Sequence, residues 1–178
     1  MTFEFSQHLT EFNVPLSTFL RSRPFTHVAV GAYIYSSKEG EKTVLLLQRS
    51  ESDSYPLHWE GPGGACEEDD ESMLSGAARE ITEETGLHVR RFEDVISLDE
   101  WEDVKHGAAR RFCKIVFLAR VCEDSHQGWE EERVLLDPKE HRAFVWATEA
   151  DVQGDRYKFI GVQRETCLRG FNMNNRCI

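Results

Sequence analysis

The chain predicts an α/β fold in one domain, and three observations predict it. Apolar runs of strand character recur over residues 27–35, 43–48, 109–121 and 143–147. Segments with helical spacing lie between and after them, over residues 72–86 and 160–171. No internal repeat or linker interrupts the pattern, and 178 residues suffice for one core of useful size. Alternating strands and helices agree with a layered α/β architecture and leave its topology open.

The lead-in, residues 1–24, carries Phe3, Phe5, Leu9, Phe12, Leu16, Phe19 and Leu20 without a clean period. It reads as an extension of one or two short pieces packed on a domain spanning 25–178, with a lid or a dimer contact as the functional alternative. His27 to Tyr35 (HVAVGAYIY) is a strand buried on both faces. Gly40 marks a turn, and Thr43 to Gln48 (TVLLLQ) is the next strand, with Arg49 at its end.

The densest chemistry runs from Trp59 to Leu87, WEGPGGACEEDDESMLSGAAREITEETGL. As a helix, its second half places Glu80, Glu83 and Glu84 at i, i+3 and i+4, so three carboxylates share one face within a turn. Leu74, Ala77, Ala78, Ile81 and Thr85 gather on a separate apolar stripe. Asp70 or Ser72 can cap the helix start, and Gly86 suits the left-handed residue after its end. Like charges at this spacing repel, and Arg79 is one cation against three acids. A hard divalent cation with oxygen ligands relieves the repulsion, whereas a solvated acidic face is the plainer alternative. Pro62, Gly63 and Gly64 favour the first, because glycines there let backbone groups approach a ligand closely.

After this helix, His88 to Asp99 reads as a strand or strand pair broken by charges. Glu100 to Gly107 reads as a polar loop holding Trp101, a packing residue or a base-stacking platform. Ala109 to Val121 is the most strand-like stretch of the second half. Residues 123–140 form an acidic insertion with Trp129 and Glu130 to Glu132, expected as a solvated loop. Ala143 to Ala147 is a further strand. Thr148 starts a short helix with capping-box character, Gly154 interrupts it, and Ile160 to Phe171 forms a C-terminal helix.

At the acidic helix the chain resembles the Nudix hydrolase family, whose box is G-x5-E-x7-R-E-U-x-E-E-x-G-U, with U a bulky apolar residue. Glu71, Arg79, Glu80, Ile81, Glu83, Glu84, Gly86 and Leu87 match it. The box glycine falls at Ala65, and Gly64 stands one residue early. The resemblance implies an α/β/α sandwich with a mixed sheet and hydrolysis of a nucleoside diphosphate linked to another group. It implies magnesium, or manganese in its place, held by Glu80, Glu83 and Glu84 with a backbone carbonyl from the loop at Gly64. Arg79 would hold the glutamates in place, and Glu71 would support the loop. Gly63, Gly64 and Arg49 would lie near substrate phosphates; the alternative for Arg49 is a surface arginine paired with Glu51 or Asp53. Proton removal falls to a box glutamate or to Glu140, which stands beside His141 ahead of a strand, with Glu132 and Asp137 behind it. A nucleotide-sensing module without turnover would be marked by a lost box carboxylate, and all the box carboxylates are present; a further alternative is the diphosphate isomerase chemistry of some relatives, which usually comes with an altered box.

A net charge of −11 disfavours a long nucleic acid as partner, since such binding is driven by lysine and arginine, and leaves a small nucleotide as the expected one. The five cysteines are odd in number and lack C-x-x-C spacing, which fits free thiols in a reducing compartment. Neither a membrane-spanning run nor a signal-like N-terminus is seen, so the expected location is cytoplasmic.

Overall fold

The computed structural model describes residues 2–38, 40–105, 108–122 and 134–174. The acidic stretch 123–133, including Trp129 and Glu132, lies outside the described residues. The elements are β1 (Glu4–Phe5), a 3-10 turn (Gln7–Phe12), α1 (Leu16–Leu20), β2 (His27–Lys38), β3 (Glu41–Arg49), β4 (Trp59–Glu60) and β5 (Gly63–Ala65). Then follow α2 (Met73–Thr85), β6 (Val89–Lys105), β7 (Ala108–Val121), β8 (His141–Thr148), α3 (Glu149–Gln153) and α4 (Gln163–Asn174).

The strands form a mixed sheet in the order β1-β6-β7-β2-β3-β4, with β5 added to β2 and β8 to β3. β2 runs parallel to β7, whereas β6 and β7 form a long antiparallel pair. β2 shows why the sheet needs cover on both faces. Its alternate residues Val28, Val30, Ala32 and Ile34 enter a core shared with Leu74, Ala77 and Ile81 of α2. Tyr33 and Tyr35 enter the opposite core with Cys167 and Phe171 of α4. A continuous apolar strand therefore has both faces buried, one in each core of a three-layer α/β/α sandwich. Tyr33 and Tyr35 keep their hydroxyls satisfied by donating to the carbonyls of Gln163 and Cys167.

The lead-in joins the α2-side core through Leu9, Phe12 and Phe19. Its chain also accepts a bond from the start of α2, Met73 N–H to the Val14 carbonyl at 3.1 Å.

One expectation fails clearly. Residues 100–105 are not a polar loop but the far end of β6, paired with β7 as far as Lys105↔Ala108. Cross-strand chemistry overrides the polar composition: Glu102 pairs with Arg111, Asp103 with Arg110, and Trp101 stacks flat on Phe112 at 5.1 Å. The charges felt along this strand appear instead as three register shifts between Val89 and Ser97. The last helix begins at Gln163 rather than Ile160 and runs three residues beyond Phe171. Among the described residues, no helix is long and apolar enough to cross a membrane.

Candidate active site

α2 is built as its local sequence dictates. Ser72 is the cap, its Oγ accepting from the Ser75 N–H at 3.1 Å, and Gly86 closes the helix in the left-handed region at φ 70°. Leu74, Ala77, Ala78 and Ile81 are fully buried against the sheet. The acidic face then splits. Glu80 and Glu84 are buried toward the sheet, whereas Glu83 is 60% exposed at its side chain and reaches Arg79 at 3.0 Å.

The glycine loop lies against these acids. The Gly63 N–H donates to Glu84 Oε2 at 2.8 Å. Gly63 and Gly64 pair with Gly31 and Val30 of β2, backbone against backbone. A Cβ on Gly64 would lie 2.6 Å from Glu80 Oε2, so this position carries the close approach that the box assigns to its glycine. Ala65, one residue on, is exposed, and its carbonyl accepts from Arg79 Nη2 at 3.0 Å.

Arg79 corrects a second expectation. It is Asp70, not Glu71, that supports the loop. Arg79 donates from Nε and Nη2 to the two oxygens of Asp70 at 3.0 and 3.1 Å, and Asp70 also accepts from the Glu67 N–H at 2.8 Å. Asp70 is buried and Glu71 exposed. Gly64 and Asp70 are six residues apart, the box spacing between its glycine and first glutamate, so the extra residue falls after Asp70. Nor does Asp70 cap the helix. Arg79 also donates from Nη1 to Glu80 Oε1 at 2.8 Å, so one guanidinium ties the loop to two of the three helix acids.

The opposite wall comes from β3, β4 and β8. Arg49 takes the Asp53 pairing of the surface alternative, not the Glu51 one, and it is largely buried. It bonds Glu60, Asp53 at 2.6 Å and the Ser54 carbonyl at 2.8 Å, while Glu51 pairs with Arg142. Glu60 is almost fully buried and also faces Lys114 at 4.0 Å and His141 Nε2 at 3.7 Å. His141, 3% exposed, stands between Glu60 and Glu84, its Nδ1 4.0 Å from Glu84 Oε1. Sequence reasoning missed Glu60 altogether and noted His141 only as the neighbour of Glu140. A charged residue just inside the apolar approach to the glycine loop was the one available signal for Glu60.

Together these walls enclose an open cleft of about 510 Å³. Arg49, Asp53, Gly63, Gly64, Glu80, Glu84, Lys139, Glu140 and His141 line it. The structure thus brings Glu80, Glu84, Glu140, Arg49, Gly63 and Gly64 together and leaves Glu83 outside the lining. Asp137 is outside it as well, its carboxylate engaged in the local turn, where Oδ1 accepts from the Lys139 N–H at 2.9 Å.

The electrostatics are uneven. Burial pushes the Glu84 carboxyl up to about 9, against the Gly63 N–H bond and with help from Glu60, Glu80 and Glu140. Burial also raises Glu80, with Arg79 opposing. Glu60 is as deeply set, yet although burial pushes it up, His141, Lys114 and Arg49 bring it down to about 2. Asp70 is likewise held below its usual value, Arg79 outweighing burial. The cleft therefore favours the charged form of the carboxylate in its wall, Glu60, and disfavours it for the carboxyl at its centre, Glu84. An oxygen-rich donor set with a crowded central carboxyl fits a hard divalent ion.

A family model, the NUDIX domain, matches residues 25–166. The human protein named m7GpppN-mRNA hydrolase NUDT17 is 30% identical over 118 residues, covering 62% of this chain and 35% of that protein. The chain thus spans about a third of the length of the curated relatives it matches. Among solved structures, the MutT protein from Methanosarcina mazei Go1 is 27% identical at TM-score 0.60, covering 86% of this chain and 97% of that one. The NUDIX domain of Shewanella oneidensis NrtR, complexed with ADP ribose, shares the fold at 16% identity and TM-score 0.63, covering 97% and 99%. With the acidic helix, the glycine loop and the sandwich in place, this chain belongs to the Nudix hydrolase family.

Proposed function

We propose that this domain hydrolyses the diphosphate linkage of a nucleoside diphosphate derivative with a divalent cation, magnesium or manganese. The observation that carries the reading is Glu84, a buried carboxyl pushed up to about 9 at the centre of a polar cleft. A bound cation supplies the missing positive charge, neutralises charge developing on the diphosphate and acidifies water. Glu80, Glu83, Glu84 and the Gly64 carbonyl are the proposed donors, with Glu83 entering from outside the lining.

The chain's own groups divide the remaining work. Arg79 holds Glu80 and Glu83 in register with the loop. Arg49 and the exposed Lys139 line the cleft and give it positive groups for the non-reacting phosphate. Glu140, exposed at the cleft, or a box glutamate takes the proton from attacking water. The substrate class covers nucleoside triphosphates, oxidised nucleotides, dinucleoside polyphosphates and nucleotide sugars. The human relative's name adds the 5′ cap of mRNA, itself a dinucleoside polyphosphate.

A panel of these compounds, including a cap dinucleotide, tests the proposal with magnesium present and phosphate, pyrophosphate and nucleotide products read out. Turnover of at least one member that stops in excess chelator and rises toward alkaline pH is expected. Full turnover in chelator would remove the mechanism.

A further inference from the structure

His141 is a buried ionisable side chain in the lining of this cleft that the proposed reaction leaves without work. Its ring is 3% exposed, and its Nδ1 has no hydrogen-bond partner among the described residues. A buried ring nitrogen without a partner is costly and calls for an explanation. Nδ1 is directed into the cleft, 4.0 Å from Glu84 Oε1. Ligand atoms of His141, Glu84 and Glu140 all lie within 4.8 Å of one another. The other ring nitrogen, Nε2, faces Glu60 Oε1 at 3.7 Å. Glu60 is itself fixed from behind by Arg49 and Lys114. The backbone is held as well, the His141 N–H donating to the Asp137 carbonyl at 2.9 Å.

A carboxylate facing one ring nitrogen favours the tautomer that leaves the other nitrogen free to bind a metal. We propose that His141 Nδ1 is a nitrogen ligand for the divalent ion, added beside Glu84 to the proposed oxygen donors, and that Glu60 is the positioning residue behind it. The inference rests on the reading that this cleft takes a divalent ion, and it adds the ion's preference. A site of oxygens alone suits magnesium, whereas an imidazole favours transition ions, whose affinity for nitrogen rises from manganese to cobalt.

The test uses the whole chain loaded with Mn2+ alone, followed by pulsed electron paramagnetic resonance for coupling to a 14N nucleus. Coupling is expected in the wild type and lost in His141→Gln, which keeps a buried polar group. Calorimetry should show Co2+ affinity falling about 10–100-fold in that variant, with Mg2+ affinity changing less. Glu60→Gln should keep the nitrogen coupling while Co2+ affinity falls about tenfold; it also serves if His141→Gln does not fold. Bound Mn2+ without nitrogen coupling in the wild type overturns the proposal, as does coupling that persists in His141→Gln. In either case chelator-sensitive hydrolysis would leave the proposed function standing. Nitrogen coupling without turnover of any substrate in the panel would do the reverse.

Discussion

Arg79 grips Asp70 at two points, Nε to Oδ1 at 3.0 Å and Nη2 to Oδ2 at 3.1 Å. The pair fastens the glycine loop to the acidic helix, because the same guanidinium bonds the Ala65 carbonyl, Glu80 and Glu83. Such two-point, charge-assisted bonds are the strong ones.

Asp70→Asn should therefore lower stability by about 2–3 kcal/mol, the scale of a lost hydrogen bond to a charged group. Glu71→Gln, at an exposed position, should stay within about 0.5 kcal/mol. The Asp70 carboxyl is held below its ordinary value, so its contribution is complete above pH ~3.9 and is lost as pH falls through the lower folded value. Thermal melts from pH 7 to 2 check both statements. Equal effects of the two substitutions would return the role to Glu71.

Glu84→Gln should stabilise the metal-free protein and disable it. The folded carboxyl titrates near about 9, whereas an unfolded one does so near ~4.3. Between those values the native state holds a proton that the unfolded chain has released, so wild-type stability falls as pH rises. Glutamine removes that slope and still offers an oxygen to the Gly63 N–H. A gain on the order of 5 kcal/mol at most is expected at pH 8 and almost none near pH 4. With saturating magnesium, kcat should fall by around 10³, or roughly 4 kcal/mol. A solvated acidic face predicts little change in either property.

Adjacent glycines should fail in different ways. Gly63 has φ 151°, and a Cβ there would meet Gly31 Cα and the Val30 carbonyl at 2.5 Å, which are backbone atoms that cannot step aside. Gly63→Ala should cost folding about 3 kcal/mol or more. At Gly64 the clash is with the carboxylate end of the Glu80 side chain rather than with backbone. Gly64→Ala should melt within about 1 kcal/mol of wild type, because a flexible side chain can yield, yet bind Mn2+ more weakly. Paired melts and Mn2+ titrations distinguish the two, and identical profiles would sink the assignment of Gly64 to the Glu80 contact.

Arg49→Ala should affect both binding and stability. Lost contact with non-reacting phosphate raises KM by about tenfold with a smaller fall in kcat. Glu60 would also lose its closest cation while remaining buried, which should cost about 3 kcal/mol. An arginine serving substrate alone predicts an unchanged melt, and an arginine serving structure alone predicts an unchanged KM.

The sequence by itself determined what depends on near neighbours. The spacing of Leu74, Ala77, Ala78 and Ile81, the Ser72 cap, the Gly86 end and the shared face of Glu80 and Glu84 follow from helix geometry within fifteen residues. The capping box of Thr148 and Asp151 is legible for the same reason. Only the tertiary structure decided which acid Arg79 chooses, because Asp70 and Glu71 are adjacent carboxylates and the loop buries the first and exposes the second. It also decided that residues 100–105 extend β6, since their partners Arg110, Arg111 and Phe112 lie across a hairpin. Glu60 and His141 are eighty-odd residues apart and meet only because β4 and β8 both pair with β3 near its end. No local pattern carries that meeting. It is set by strand register, and register is chosen by which faces the whole sheet can bury.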